Sequence, residues 1–259
     1  MKATLIISVY KDVSALHAIL RSVELQTEKD FAIIIAQDAD ENCFQALIAD
    51  YQQKGFAIQL LQQEDNGFQK NKILNKAILT AQTEKLIFID GDCVLHPEFI
   101  AQHIKSLQPN SFCAGSRADL DEKTSKAIHN GQIIVPTLFQ MLKNKTIRAE
   151  ETFRVLRFLK GNSDTRLLGC NMSFNKSDLL KLNGFDEDYI NAGYGEDVDI
   201  EFRALKLGLR KINVRYRAIQ YHLFHERPER EDAVSVSREL FLKKKADGLV
   251  YCVNGIVKQ

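Results

Sequence analysis

Two short acidic runs and one histidine pair hold the residues best suited to chemistry. In the first run, Leu86-Ile87-Phe88-Ile89-Asp90-Gly91-Asp92, an apolar stretch ends in two carboxylates separated by glycine. Carboxylate oxygens suit hard divalent cations such as Mg²⁺ and Mn²⁺, and two of them leave coordination positions for water and substrate phosphate. A solvated turn is the other reading of the same three residues. The second run, Gly193-Tyr194-Gly195-Glu196-Asp197-Val198-Asp199, places three acids in the first turn of a helix whose apolar face is Val198, Phe202 and Leu205. Acids there commonly complement the helix dipole. That role covers one or two acids more readily than three behind a glycine loop and an aromatic. In Tyr221-His222-Leu223-Phe224-His225, two imidazoles follow an expected edge strand. Neutral imidazole can complete a Mn²⁺ shell, and a plain surface or core role is the alternative. His17, His96, His103 and His129 lack a partner pattern and are read as structural.

These residues need elements to position them. Thr4–Val9, Ala32–Ala36, Ile58–Leu61 and Leu86–Ile89 are short, continuous and apolar, as strands covered on both faces are. Between them, Ala15–Leu25, Phe44–Tyr51 and Lys72–Ala81 carry apolar residues at helical spacing. The alternation predicts an α/β fold with a mostly parallel, doubly wound sheet, and such sheets bind ligands at the carboxyl ends of their strands. After Ser116 the pattern changes. Residues 117–166 are charged and lack strand alternation, with a helical, basic stretch from Thr137 to Lys160. Strand character returns at Leu168–Phe174, and helices are expected near Asp178–Leu182, Asp197–Leu207 and Ser235–Leu242. No repeat or low-complexity linker divides the chain. The expectation is one domain over 1–259, with a nucleotide half (1–115) and an acceptor half (116–259).

Bulk properties narrow the classes. The 259 residues carry 35 basic and 34 acidic side chains, a net charge of +1, which argues against general attraction to nucleic acid. No apolar run reaches the roughly 20 residues that span a bilayer. The first apolar run is cut short by Lys11-Asp12 and suits a buried strand better than a signal core. The cysteines Cys43, Cys93, Cys113, Cys170 and Cys252 form no CxxC pair and are read as reduced core residues, with the cytoplasm as the expected address.

Taken in order, these segments resemble glycosyltransferase family 2, with its GT-A fold, over nearly the whole chain. Ile6-Ile7-Ser8-Val9-Tyr10 resembles the family's first strand and Ile35-Ala36-Gln37-Asp38 its second. Gln63-Glu64-Asp65-Asn66-Gly67-Phe68 resembles a segment lining the nucleotide pocket, and Asp90-Gly91-Asp92 occupies the place of the metal-binding DXD motif. Gly169-Cys170-Asn171-Met172-Ser173-Phe174, Gly184-Phe185-Asp186-Glu187 and Gly195-Glu196-Asp197 look like the acceptor and base region of galactosyl- and N-acetylgalactosaminyltransferases, including the chondroitin-polymerase type. The chain departs from the family at Gln37, where an acid is usual, at Gln69-Lys70, where Arg is frequent, and at Lys11, where Asn is frequent.

The resemblance implies a metal-dependent, inverting hexosyltransferase with a UDP-sugar donor and a saccharide or glycolipid acceptor, working in cell-surface polysaccharide or lipopolysaccharide synthesis. It implies Mn²⁺ or Mg²⁺ on Asp92, with Asp90 on the ion or the ribose and a late histidine, His222 or His225, as a further ligand. Ser8, Val9, Tyr10, Asp38, Asn66, Gly67, Lys70, Asp90 and Gly91 would bind the nucleotide sugar, Asp38 through the uracil ring. Asn171, Met172 and Tyr194 would meet the acceptor, with Asp197 as base beside Glu196. The basic, apolar stretch 137–160 could cover the core or touch an anionic membrane from the cytoplasmic side.

Rival classes lack their signatures. A sugar nucleotidyltransferase needs a glycine-rich basic loop after the first strand, and Ser8-Val9-Tyr10-Lys11-Asp12 has no glycine. There is no GxxxxGK[ST] run for a P-loop kinase and no GxGxxG for a dinucleotide enzyme. A non-catalytic carbohydrate-binding module would keep a pocket but has no use for Asp92 and Asp197 together.

Overall fold

The computed structural model of the protein describes residues 1–154, 165–226 and 231–258. Strands β1 (Ala3–Val9), β2 (Phe31–Gln37), β3 (Ile58–Gln62) and β4 (Lys85–Asp90) alternate with helices α1 (Val13–Glu24), α2 (Gln45–Gln53) and α3 (Lys70–Thr80). Then come β5 (Cys93–Leu95), α4 (Phe99–Ser106), β6 (Ser111–Ala114), β7 (Ala118–Asp119), α5 (Glu122–His129) and α6 (Leu138–Lys143). A 3₁₀ turn (Ala149–Thr152) precedes β8 (Met172–Asn175), α7 (Lys176–Lys181), α8 (Glu196–Lys206), β9 (Arg210–Asn213), β10 (Gln220–His222) and α9 (Glu231–Asp247).

Local sequence explains these elements. Strand β1 is β-branched and buried along its length except at Ser8. Helix α1 starts where the Asp12 carboxylate accepts the Ala15 N–H at 2.9 Å, and it buries Leu16, Ile19, Leu20 and Val23 along one stripe. The seven-stranded sheet has the order β3-β2-β1-β4-β8-β6-β9. Its first four strands are parallel, so the ends of β1, β2 and β4 meet at one edge. Along β1, Leu5, Ile7 and Val9 join the core under α1, while Ile6 faces the core built by α3, α7 and α8.

The sheet departs from the expected pattern at β8, which runs antiparallel to both β4 and β6. Of the expected Leu168–Phe174 strand, only the part from Met172 pairs, because the Asn171 N–H folds back onto the Leu168 carbonyl at 2.9 Å. A second, three-stranded sheet has the order β5-β10-β7, so the strand before the histidine pair is the middle strand and not an edge. Helix α8 is also rotated from expectation. It buries Asp199, Ile200, Arg203 and Ala204, while Leu205 is exposed and Phe202 meets Phe241 of α9. An Asp199–Arg203 ion pair at 2.6 Å takes the inner face, with Arg203 also donating to the Leu182 and Gly184 carbonyls. The segment from Thr137 gives the short helix α6 and the 3₁₀ turn, and residues 155–160 of the basic stretch lie outside the described residues.

All five cysteines are free, and four are buried. Among the described residues no helix is long and apolar enough to cross a membrane.

Candidate active site

The register of the small sheet gathers one cluster. Strand β10 pairs His222 with Cys93 of β5 on one side and with Asp119 of β7 on the other. Asp92, just ahead of β5, is locked there by the Leu223 N–H donating to its carbonyl at 2.8 Å. Its carboxylate then lies 3.1 Å from His222 Nε2 and 3.4 Å from His225 Nε2. One ligand atom from each of Asp92, His222 and His225 falls within 4.8 Å of the others. Burial pushes the Asp92 carboxyl pKa up, but the two imidazoles outweigh it and hold the carboxyl well below its usual range. One carboxylate and two imidazoles form a compact donor set that fits a divalent transition ion. His222 Nδ1 lies 3.7 Å from Asp119 Oδ1, and Asp119 also faces Arg117 at 3.0 Å. A carboxylate behind a histidine is the usual device for fixing the orientation of a metal-binding ring.

A second cluster begins one residue before Gly91, at Asp90. A Cβ at Gly91 would lie 2.8 Å from the Ser8 carbonyl oxygen, so only glycine lets the end of β4 pass so close to β1. The two carboxylates of the motif thus part company. Asp90 accepts from Ser8 Oγ at 3.1 Å and from Lys70 Nζ at 2.7 Å, and it is not among the ligand atoms gathered around Asp92. Lys70, in the first turn of α3, reaches Glu196 Oε1 at 3.5 Å as well. Burial lowers the pKa of this ammonium, but Asp90 and Glu196 outweigh it and raise the pKa above its ordinary value. A Cβ on Gly169 would sit 3.5 Å from both Lys70 Nζ and Glu196 Oε1, so the Gly169 backbone runs directly over this pair.

Asp197 follows. Gly195 holds the cap position of α8 and Asp197 stands one residue into the helix, where its Oδ1 accepts the Val198 N–H at 2.8 Å. Helix-end stabilisation of the charged form, expected from sequence, is overcome. Burial and the neighbouring Glu196 raise the Asp197 pKa to about 6, against the opposing pull of Arg166 and Lys70. Arg166 Nη2 is 3.7 Å from Asp197 Oδ1, and its guanidinium carbon lies 5.5 Å from the centre of the Tyr194 ring. Asp199 points inward to Arg203 and away from this cluster.

Around the ends of β1 and β2, Asp38 is buried and both its oxygens are engaged. Oδ1 accepts Gln63 Nε2 at 2.6 Å and Oδ2 accepts the Gln69 N–H at 2.7 Å, which fastens the 63–69 segment to β2. The expected direct contact with a base must therefore share oxygens already in use. The Val9 carbonyl accepts the Asp38 N–H, and exposed Tyr10 donates to Asp65 at 2.8 Å. Asn66 and Gly67 are exposed at the tip of the same segment.

Two residues expected at an acceptor lie elsewhere. Asn171 is fully buried, donating to the Ser116 and Ala218 carbonyls and pairing through Oδ1 with His103 at 3.0 Å, so its side chain has no surface to offer. Met172 is packed in the core beside Phe88 and Phe174. His103, sealed between Asn171 and Ser173, is a structural histidine whose pKa burial lowers to about 4. The Gly184–Glu187 segment serves as a brace, with Asn75 of α3 bonding both the N–H and the carbonyl of Phe185. Sequence reasoning missed Asp119, Arg166 and the position of Gly169. Asp119 and Arg166 carry no motif, since each gains a partner only when distant segments meet.

No curated protein sequence matches the chain. Among solved structures, the mannosyltransferase PcManGT of Pyrobaculum calidifontis, in complex with GDP-Man and Mn²⁺, superposes with a TM-score of 0.63 at 16% identity, covering 96% of this chain and 64% of its own. S. aureus TarS 1-349 in complex with UDP-GlcNAc gives a TM-score of 0.63 at 17% identity, covering 94% of this chain and 64% of its own. The chain therefore spans just under two thirds of these neighbours, which share its GT-A fold. Residues 155–226 match the N-terminal domain of galactosyltransferase. Residues 4–178 match the family model described as glycosyl transferase family 2, and the chain belongs to that family.

Proposed function

We propose that this glycosyltransferase is an inverting, metal-dependent hexosyltransferase with a UDP-sugar donor, galactose or N-acetylgalactosamine by preference. The observation that carries this reading is the pairing of two clusters across Gly91, a metal-type donor set at Asp92, His222 and His225 beside an acid–lysine set at Asp90, Lys70, Glu196 and Asp197. Two imidazole donors favour Mn²⁺ over Mg²⁺, which prefers an all-oxygen shell. When bound, the ion would offset the charge that develops on the leaving diphosphate. Similarity of residues 155–226 to a galactosyltransferase domain supports the sugar preference.

The residues of the chain divide the remaining work. Ser8, Val9 and Tyr10 at the end of β1 frame the nucleotide, with Asp38 shaping its pocket through the 63–69 segment and Asn66 and Gly67 at the rim. Lys70 holds Asp90 and Glu196 at fixed spacing. Asp90 is aimed at the donor rather than at the ion directly, and Glu196 meets sugar hydroxyls. Asp197 takes the proton from the acceptor hydroxyl as its oxygen bonds to the anomeric carbon, and the bond from that carbon to the diphosphate oxygen breaks to release UDP. One displacement inverts the anomeric centre. A pKa near 6 leaves Asp197 ionised at neutral pH yet basic enough to act. Tyr194 and Arg166 border the acceptor side.

We read the chain as one catalytic unit, with 1–115 holding the donor and 116–259 contributing the acceptor side. The acceptor is a saccharide or glycolipid of cell-surface polysaccharide or lipopolysaccharide synthesis. A thermal-shift panel of UDP- and GDP-sugars with Mn²⁺ tests the donor. A ligand that binds only the folded state raises the melting temperature by mass action, so UDP-galactose or UDP-N-acetylgalactosamine should give the largest shift, and a larger shift with GDP-mannose would overturn the assignment.

A further inference from the structure

Beside the metal-type cluster the surface changes character. From Lys123 to Ala149 the chain contains no aspartate or glutamate but carries Lys123, Lys126, Lys143, Lys145 and Arg148. Within this acid-free stretch, α6 turns its side chains outward. Leu138, Phe139 and Leu142 are 46%, 74% and 56% exposed, and Ile147 just beyond is 66% exposed. Met141 alone anchors the helix in the core beneath β10. Single exposed apolar residues are ordinary, but four within ten residues, three of them on one short helix, form a patch that calls for a partner. Lys143, Lys145 and Arg148 are exposed and rim it with positive charge. The patch is fixed to the site. Ile147 pairs backbone to backbone with Asp119, and the Asp119 carboxylate faces His222.

We propose that α6 and the turn following it form a membrane-docking surface. Leu138, Phe139, Leu142 and Ile147 insert at the headgroup boundary of an anionic bilayer, while Lys143, Lys145 and Arg148 pair with lipid phosphates. Charge complementarity selects this occupant. A second copy of the chain would oppose like charges across the same face, whereas an anionic bilayer supplies both the apolar layer and the counter-charge. The consequence for chemistry rests on the transferase reading above: docking here holds the acceptor side against the lipid surface, which suits a lipid-linked acceptor whose hydroxyl lies close to the headgroups.

Vesicle flotation tests the surface without any turnover. The full chain is mixed at low salt with vesicles of phosphatidylglycerol and phosphatidylcholine in equal parts, and with vesicles of phosphatidylcholine alone. Co-flotation with the anionic vesicles, weakened by salt, is expected. Each of Lys143→Gln and Lys145→Gln should lower partitioning about five-fold, and Phe139→Glu with Leu142→Glu should abolish it. These positions are exposed, so an unchanged melting temperature and UDP affinity will show that the variants are folded. Absence of wild-type flotation, or equal flotation of wild type and the glutamate variant, would overturn the proposal. So would a sedimentation change in the glutamate variant that identifies the face as a contact between copies. Donor hydrolysis measured alongside separates the two claims: flotation without hydrolysis leaves the surface standing and removes the enzymatic reading, while hydrolysis without flotation does the reverse.

Discussion

The Lys70 ammonium lies 2.7 Å from Asp90 Oδ1 and so ties the first turn of α3 to the carboxyl end of β4. Because Glu196 is also within 3.5 Å, this one cation keeps two carboxylates side by side beneath the Gly169 backbone. Lys70→Met should leave those carboxylates facing each other without a counter-charge. A hydrogen bond to a charged group is worth about 1.5–3 kcal/mol, so donor affinity should fall roughly 10- to 100-fold. Calorimetry with UDP reads this directly, and unchanged affinity would remove Lys70 from the donor site.

Asp197 should show opposite effects on rate and stability. With its pKa raised from 3.8 to about 6, the folded protein holds this proton more tightly than the unfolded chain does. The charged carboxylate therefore costs stability, a cost that accumulates as pH rises from about 4 to about 6 and is fully present at neutral pH. Its size is about 3 kcal/mol. Asp197→Asn should raise the melting temperature at pH 7 while lowering transfer by a factor on the order of 10²–10⁴. In wild type, the transfer rate should fall about ten-fold per pH unit below pH 6. A destabilised Asn variant with a normal rate would make Asp197 a structural residue.

Asp199 supplies the contrast. Its carboxylate and Arg203 are both almost fully buried and lie 2.6 Å apart. Asp199→Ala should leave the guanidinium buried without its partner and cost about 3–5 kcal/mol, measured by urea denaturation, with no specific loss of UDP affinity in the protein that remains folded. A stable variant with impaired turnover would move Asp199 into the site.

Behind the metal-type cluster, Asp119→Asn should weaken Mn²⁺ binding. Loss of a carboxylate that orients a ligating histidine typically costs 10- to 100-fold in metal affinity. Titration of free Mn²⁺ by electron paramagnetic resonance gives the dissociation constant independently of turnover, and an unchanged value would mean that His222 is held by β10 alone.

Much of this site was legible in sequence because it sits at strand ends. A buried β4 followed by Asp90-Gly91-Asp92 fixed the place where carboxylates emerge, and the acidic opening of α8 located Glu196 and Asp197. Residues whose roles depend on distant pairing were not legible. Asp119 gains its partner only through the β7–β10 register, and Arg166 reaches Asp197 from a loop without a motif. The misplacement of Asn171 and Met172 has a simple cause. A polar residue in a recognisable segment suggests a ligand, but here the turn at Leu168–Asn171 directs the side-chain amide inward, where it donates to the Ser116 and Ala218 carbonyls and pairs with His103. The rotation of α8 was likewise hidden, because an Asp–Arg pair four residues apart looks solvent-exposed in sequence and is buried in the fold.

Metal-dependent breakage of a UDP-sugar is the step on which the proposed chemistry depends, and UDP release followed by phosphorus NMR measures it most directly. Wild-type protein with UDP-galactose or UDP-N-acetylgalactosamine should release UDP when Mn²⁺ is present. Release should stop in excess EDTA, return when Mn²⁺ is restored, and fail in Asp92→Asn even though that variant stays folded. Equal release in EDTA, or intact donor throughout the panel of sugars with Mn²⁺ and acceptor present, would contradict a metal-dependent transferase at Asp92, His222 and His225.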